Sequence, residues 1–213
     1  KDELINKMNY SDCYVRPLVW RGGQQMGIST SDSNINVAVI VWDDWASYFK
    51  IEDRKKGLRL VTSPWKRPSP DTSPYEAKAS GPYIICTMSK EFAETKGYHD
   101  ALMLDYRGYV AEGTGANIFF VKGREIHTPT PDCFLNGITR QTVIKMSSEQ
   151  GFKIIERHIR PEEMKNYAEA FLTGTAAEIT PIKSIDNINF STGENTTTFK
   201  FMCDFSNLVN QIN

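Results

Sequence analysis

The sequence has no apolar run long enough to cross a bilayer and no charged-then-apolar leader at its start, so neither a membrane span nor a secretory signal is expected. Cysteines are few and far apart. Cys13, Cys86, Cys133 and Cys203 contain no C-x-x-C pair, which points to reduced thiols in the cytoplasm rather than a disulfide framework. The three histidines, His99, His127 and His158, also lack metal-ligand spacing, so no metal site is expected. Neither sign of charge dominates: 25 Lys and Arg face 26 Asp and Glu, a formal net charge of −1. That balance gives no pull toward nucleic acid or an anionic membrane. The phosphate-loop pattern G-x-x-x-x-G-K-[ST], internal repeats and low-complexity segments are all missing. The opening "KDEL" carries no address, because a retention signal must be the last four residues.

What remains is an ordinary globular balance over 213 residues, 40% hydrophobic and 24% charged, enough for a substantial core. "CYVRPLVW" (13–20) and "INVAVIVW" (35–42) have the β-branched and aromatic content of strands, joined by Gly- and Ser-rich loop residues. A hinge is expected near 43–56, then a strand from Leu58 and a proline-studded loop over 63–74. A helix is expected from Tyr75 to Lys96, with Ile85, Met88 and Phe92 at helical spacing, Pro82 disturbing its middle and Gly97 as its stop. "DALMLD", "NIFFVK" and "EIHTP" predict strands separated by turns; "ITRQTVIKMSSEQG" predicts a helix ended by Gly151. "KIIERHI" and "EAFLTG" predict further strands around a short helix with Pro161 in its first turn. The tail from Thr196 predicts a helix burying Phe199, Met202, Phe205 and Leu208 on one face. The class is mixed α/β (α+β), divided as a partial small N-terminal domain over 1–47, a connection over 48–56 and a larger domain over 57–213.

Four segments hold chemically able residues in uncrowded settings. "YEAKASGPY" (75–83) places Lys78 among small side chains, with Tyr83 five positions on. "VAEGTGANIFF" sets Glu112 before a glycine turn and an apolar strand. "LNGITRQTV" (135–143) and "LTGTAAEITP" (172–181) are Gly-Thr turns that each lead toward an expected helix. A helix N-terminus offers unsatisfied N–H groups to an anion, although Gly and Thr are also ordinary caps there. Taken alone, Lys78 is an ordinary surface lysine and Glu112 a turn residue. A buried Glu112 would ionise only beside a cationic partner.

Together the segments resemble the fold-type IV pyridoxal-phosphate enzymes, the class IV aminotransferases. The resemblance rests on Glu112, Asn117, Ile118, Phe119, Thr128, Leu135, Gly137, Ile138 and Arg140, which match that family's signature in type and spacing. It covers most of the chain, from about Tyr14 to "EITPIKSID". "YVRPLVWRG" and "WASYF" resemble segments of the branched-chain amino acid aminotransferases. D-amino acid aminotransferases and aminodeoxychorismate lyases share the lysine and glutamate but generally lack an equivalent of "YVRPL". Family members carry a fuller N-terminal domain before that stretch, so an incomplete catalytic cup is a further reading.

The resemblance implies a cofactor, pyridoxal 5′-phosphate, joined covalently to Lys78, which also shuttles the proton and is expected to be partly buried. It implies that Glu112 keeps the pyridine nitrogen protonated and that Tyr83 bonds the phenolic oxygen. Leu135, Ile138, Thr139, Gly174 and Thr175 fall where the family holds the cofactor, largely through its phosphate. Tyr14, Arg16, Tyr48, Thr175 and Ala176 fall at its substrate pocket. The implied reaction moves the amino group of leucine, isoleucine or valine to 2-oxoglutarate, giving branched-chain 2-oxo acids and glutamate. The implied partners are amino acids and 2-oxo acids, and another copy of the chain in a homodimer or higher oligomer.

Overall fold

A computed structural model describes residues 1–23, 26–43 and 49–210. The chain forms two compact units, Lys1–Tyr48 and Phe49–Asn213. In the first, helix α1 (Asp2–Met8) ends on Asn9 in the left-handed conformation. Strands β1 (Tyr14–Gly23) and β2 (Ser33–Trp42) then pair antiparallel in unbroken register, from Tyr14 opposite Trp42 to Gly23 opposite Ser33. Pro17 is tolerated in β1 because a two-stranded ribbon consists only of edges.

The second unit begins with α2 (Ile51–Lys56), so a helix occupies most of the expected connection. Nine strands follow: β3 (Leu58–Arg67), β4 (Asp100–Asp105), β5 (Val110–Glu112), β6 (Asn117–Lys122), β7 (Glu125–Thr128), β8 (Lys153–Glu156), β9 (Glu169–Gly174), β10 (Glu178–Ile185) and β11 (Ile188–Asn189). Because β9 pairs with both β6 and β10, the sheet closes on itself through β10, β3, β4, β5, β6 and β9. Strand periodicity then sorts the side chains into two cores. Ile118 and Phe120 of β6, with Ala170 and Leu172 of β9, join Leu60, Leu102 and Ile182 in one cluster. Their alternates Phe119, Val121 and Phe171 pack with α4 (Ile138–Glu149) and α5 (Thr197–Asn210) through Val143, Met146, Phe201 and Phe205. Stacked Phe119 and Phe171 rings, 5.0 Å apart, mark the centre of this second core.

Several expectations change. The helix expected from Tyr75 is only a 3-10 turn at Tyr75–Ala77; α3 starts at Tyr83 and runs to Thr95, because Pro82 is compatible with a helix start and not with its interior. Its fully buried positions are Cys86, Ser89 and Ala93, one residue along from the expected stripe. The loop expected from residue 63 is instead the end of β3, which absorbs Pro64 at a register shift between Thr62 and Lys66. The short helix at Pro161–Asn166 is a 3-10 helix. In α5 the buried face runs through Thr198, Phe201 and Phe205, leaving Leu208 exposed. The segment 172–181 starts no helix. It is the β9–β10 hairpin, turning between Gly174 and Glu178, because sheet pairing on both sides overrides the local helix preference of Ala-Ala-Glu.

Candidate active site

Lys78 sits at the C-terminal end of the 3-10 turn with φ 51° and ψ 35°, a left-handed conformation that only the surrounding turns impose on a lysine. Its Nζ donates to Tyr83 Oη at 3.1 Å, so the first turn of α3 fixes the amine's direction. The lysine is exposed, contrary to the burial expected of it, because its small neighbours leave the turn open.

Glu112 is the buried member of the pair. It ends β5, and Gly113 behind it permits close packing: a Cβ there would lie 3.2 Å from Asp100 Oδ2 and 3.3 Å from Leu172 Cδ2. Arg67, the last residue of β3, brings its Nε to 3.3 Å from Glu112 Oε1, with both side chains largely removed from solvent. Burial pushes the Glu112 carboxyl up to about 7, against the opposing pull of Arg67 and Lys78. Asp100, on the neighbouring strand, is also pushed up by burial; its Oδ1 accepts from Thr114 Oγ1 at 2.5 Å and from the Ala101 amide.

The side chain of Asn117 bridges both ends of the first Gly-Thr turn. Asn117 Nδ2 donates to the Leu135 carbonyl at 2.9 Å, and its Oδ1 accepts from the Gly137 amide at 3.2 Å. Gly137 is the N-cap of α4 and has no side chain to satisfy the free amides beyond it, so the Ile138 and Thr139 N–H groups remain available to an anion. The β9–β10 turn at Gly174 and Thr175 supplies further backbone amides. A cleft of about 340 Å³ joins these parts, lined by Arg67, Lys78, Tyr83 and Glu112 together with Leu135, Ile138, Thr139, Gly174 and Thr175. Two buried polar atoms of its lining residues, Arg67 Nε and Thr173 Oγ1, have no hydrogen-bond partner. Such atoms fit a polar ligand in the cleft.

An exposed amine, a buried carboxyl and an anion cradle therefore face one cavity. Residues 2–185 match the family model described as amino-transferase class IV. The chain belongs to the class IV aminotransferases. Among the relatives of this class IV chain, a probable branched-chain-amino-acid aminotransferase of Rickettsia felis is 39% identical over 183 residues, covering 86% of this chain and 61% of that protein. The branched-chain-amino-acid aminotransferase of Pseudomonas aeruginosa is 38% identical over 189 residues, covering 89% and 61%. The chain thus spans about three fifths of the curated relatives' length. The crystal structure of the branched-chain amino acid aminotransferase from Thermobaculum terrenum, in its PLP form, superposes with a TM-score of 0.89 at 30% identity, over 99% of this chain and 69% of that one. That of the Escherichia coli branched-chain amino acid aminotransferase superposes with a TM-score of 0.91 at 34% identity, over 97% and 68%. The fold is that of the fold-type IV enzymes.

In this class IV chain the structure gathers Lys78, Tyr83, Glu112, Leu135, Ile138, Thr139, Gly174 and Thr175 at the cleft, with Ala176 next in the β9–β10 turn. Tyr14 and Arg16 lie on β1 of the first unit, half-buried and exposed respectively, and Tyr48 lies outside the described residues. Sequence reasoning missed Arg67, hidden in a proline-rich stretch, and assigned no task to Asn117 or Arg140. Arg140 is buried below the cleft, donating to Asn136 Oδ1, the Pro129 carbonyl and, at 2.6 Å, Glu156 Oε2. It ties the loop before α4 to β8.

Proposed function

We propose that this protein is a pyridoxal-phosphate-dependent transaminase that moves the amino group of leucine, isoleucine or valine to 2-oxoglutarate. The observation that carries the proposal is the meeting of Lys78, Glu112 and the α4 N-terminus around one cleft. Bound pyridoxal phosphate would supply an aldehyde for the amine and a ring that accepts electrons when its nitrogen is protonated. Glu112 would hold that proton, being an anion-capable group in a site that burial has made sparing of charge. Lys78 Nζ is the base that removes and returns the proton at the substrate Cα, and its bond to Tyr83 Oη holds it in place. Ile138 and Thr139 amides, with Leu135, Gly174 and Thr175, would hold the phosphate and align the ring.

Thr175 and Ala176 would take the substrate carboxylate, and Tyr14, Arg16 and Tyr48 are proposed as substrate-recognising residues, the guanidinium suiting the second carboxylate of glutamate. The domain scheme follows the same reading, with residues 48–56 linking a small domain to the larger one. The family names of the relatives favour branched-chain substrates over D-alanine or aminodeoxychorismate. The protein is proposed to act in the cytoplasm as a homodimer or higher oligomer.

The test is a coupled glutamate assay with leucine and 2-oxoglutarate, run beside D-alanine and aminodeoxychorismate. Leucine-dependent glutamate formation that Lys78→Ala abolishes is the expected result. Turnover of D-alanine or aminodeoxychorismate alone would overturn the substrate assignment. A folded chain that transfers nothing from leucine, D-alanine or aminodeoxychorismate would overturn the transaminase proposal.

A further inference from the structure

Glu112 faces two cations of different character. Lys78 is exposed on the cleft and, in the proposed reaction, its amine is the group that is joined, freed, protonated and deprotonated. Its charge therefore varies through turnover. Arg67 is different: a guanidinium is a permanent cation at working pH, and only 5% of this side chain is exposed. The fork is held from a second side, because Nη1 donates to Cys86 Sγ of α3 at 3.2 Å while Nε lies 3.3 Å from Glu112 Oε1. The Nε–Oε1 contact is an ion pair without an aligned hydrogen bond, which leaves Nε as one of the unpartnered buried atoms at the cleft.

From this arrangement we infer that Arg67 is a positioning residue for the proposed transamination: its fixed cation favours the ionised form of Glu112 and keeps the carboxylate aimed at the cleft whatever the state of Lys78. The inference rests on the transaminase reading, and concerns how the carboxylate is maintained rather than what it does.

The surroundings support a one-to-one pairing. The groups that face Glu112 are Arg67 from β3, Lys78 from the turn before α3, Asp100 from β4, Cys86 from α3 and Cys133 from the loop before α4. Burial pushes both thiols up, Cys86 to about 11 and Cys133 to about 12, so neither is charged near neutrality. Asp100 is also raised by burial. Arg67 is the largest influence holding Glu112 down, ahead of Lys78. Without the guanidinium, burial would leave Glu112 neutral at pH 7 and unable to retain a proton on a partner nitrogen.

The experiment follows Glu112 by carbon NMR of labelled glutamate carboxyls, in the full chain without added cofactor, for wild type, Arg67→Lys and Arg67→Met. The Met variant should titrate more than about one pH unit higher than wild type, the scale expected for loss of a close opposite charge. The Lys variant should stay nearer to wild type, because it restores a charge. With cofactor and leucine, the rise of kcat/KM with pH should move upward in the Met variant and return in the Lys variant, which a merely structural role would not produce. If the Met variant does not fold, Arg67→Gln is read against the same thresholds. A Glu112 titration unmoved by loss of the guanidinium overturns the inference. Failure of wild type to fix pyridoxal phosphate on Lys78 would instead overturn the transaminase reading, while the titration still reports whether Arg67 and Glu112 are coupled.

Discussion

Gly137 offers the sharpest separation of steric from conformational causes. Its backbone, at φ −61° and ψ 147°, is one any residue adopts, so alanine there would incur no backbone strain. The obstacle is one atom: a Cβ would stand 2.5 Å from Asn117 Oδ1. The Asn117 side chain is the near object, and it makes two bonds that pin the loop, to the Leu135 carbonyl and from the Gly137 amide. Displacing it breaks both, and each is worth about 1 kcal/mol net, so Gly137→Ala should cost about 2 kcal/mol of stability. With Asn117 already truncated to alanine, the added methyl meets only Arg140 Cβ, at an ordinary 3.9 Å, and should cost less than about 0.5 kcal/mol, as for other changes that disturb no specific contact. The coupling should therefore approach the whole effect, as expected for residues in direct contact. Urea unfolding of the two single variants and the double variant gives every arm of this cycle. Pyridoxal-phosphate affinity should fall in both single variants, since Leu135 to Thr139 would lose their fixed geometry. Equal costs of Gly137→Ala in the two backgrounds would refute the reasoning.

Other consequences concern stability as well as activity. Lys78→Gly should remove the left-handed strain, raising stability by about 1 kcal/mol in urea unfolding while abolishing transamination, whereas Lys78→Ala should lose activity without that gain. Glu112 has a folded pKa raised to about 7, so the folded state holds a proton that the unfolded state has released between about pH 4.5 and 7. Its contribution to stability must then fall as pH rises through that window, by about 3 kcal/mol, and Glu112→Gln should remove this part of the slope in unfolding midpoints measured against pH. Glu169 caps α5, its Oε1 accepting from the Thr197 amide and its Oε2 from the Thr198 amide and hydroxyl. Glu169→Ala should cost about 2–4 kcal/mol and expose the α5 amides to hydrogen exchange first; uniform exchange with little destabilisation would contradict that role.

Where the sequence carried strong periodicity the fold was legible. β4 and β6 occupy "DALMLD" and "NIFFVK" without adjustment, and Gly151 stands just past the end of α4 with φ 77°. Elements whose form depends on distant partners were not legible. β5 has three residues, too few for any pattern, and the Ala-Ala-Glu that leads into β10 favours helix until β9 and β3 claim the backbone that follows. Pro181 fits within β10 because pairing to β3 starts only at Ile182. At the site, Lys78, Glu112 and the Gly-Ile-Thr turn stood out through their unusual neighbours. Arg67 did not, since it lines the cleft only as the last residue of a β3 that continues past Pro64 through a register shift. Asn117 looked like the first residue of a strand; that it also pins a loop eighteen residues away is a property of the closed sheet.

The most direct measurement is mass spectrometry of the full chain after incubation with pyridoxal phosphate and borohydride. A single phosphopyridoxyl group on the peptide containing Lys78, lost in Lys78→Ala and weakened in Glu112→Gln, is the predicted result. Label spread across surface lysines with no preference for Lys78, in protein shown to be folded, would contradict the account.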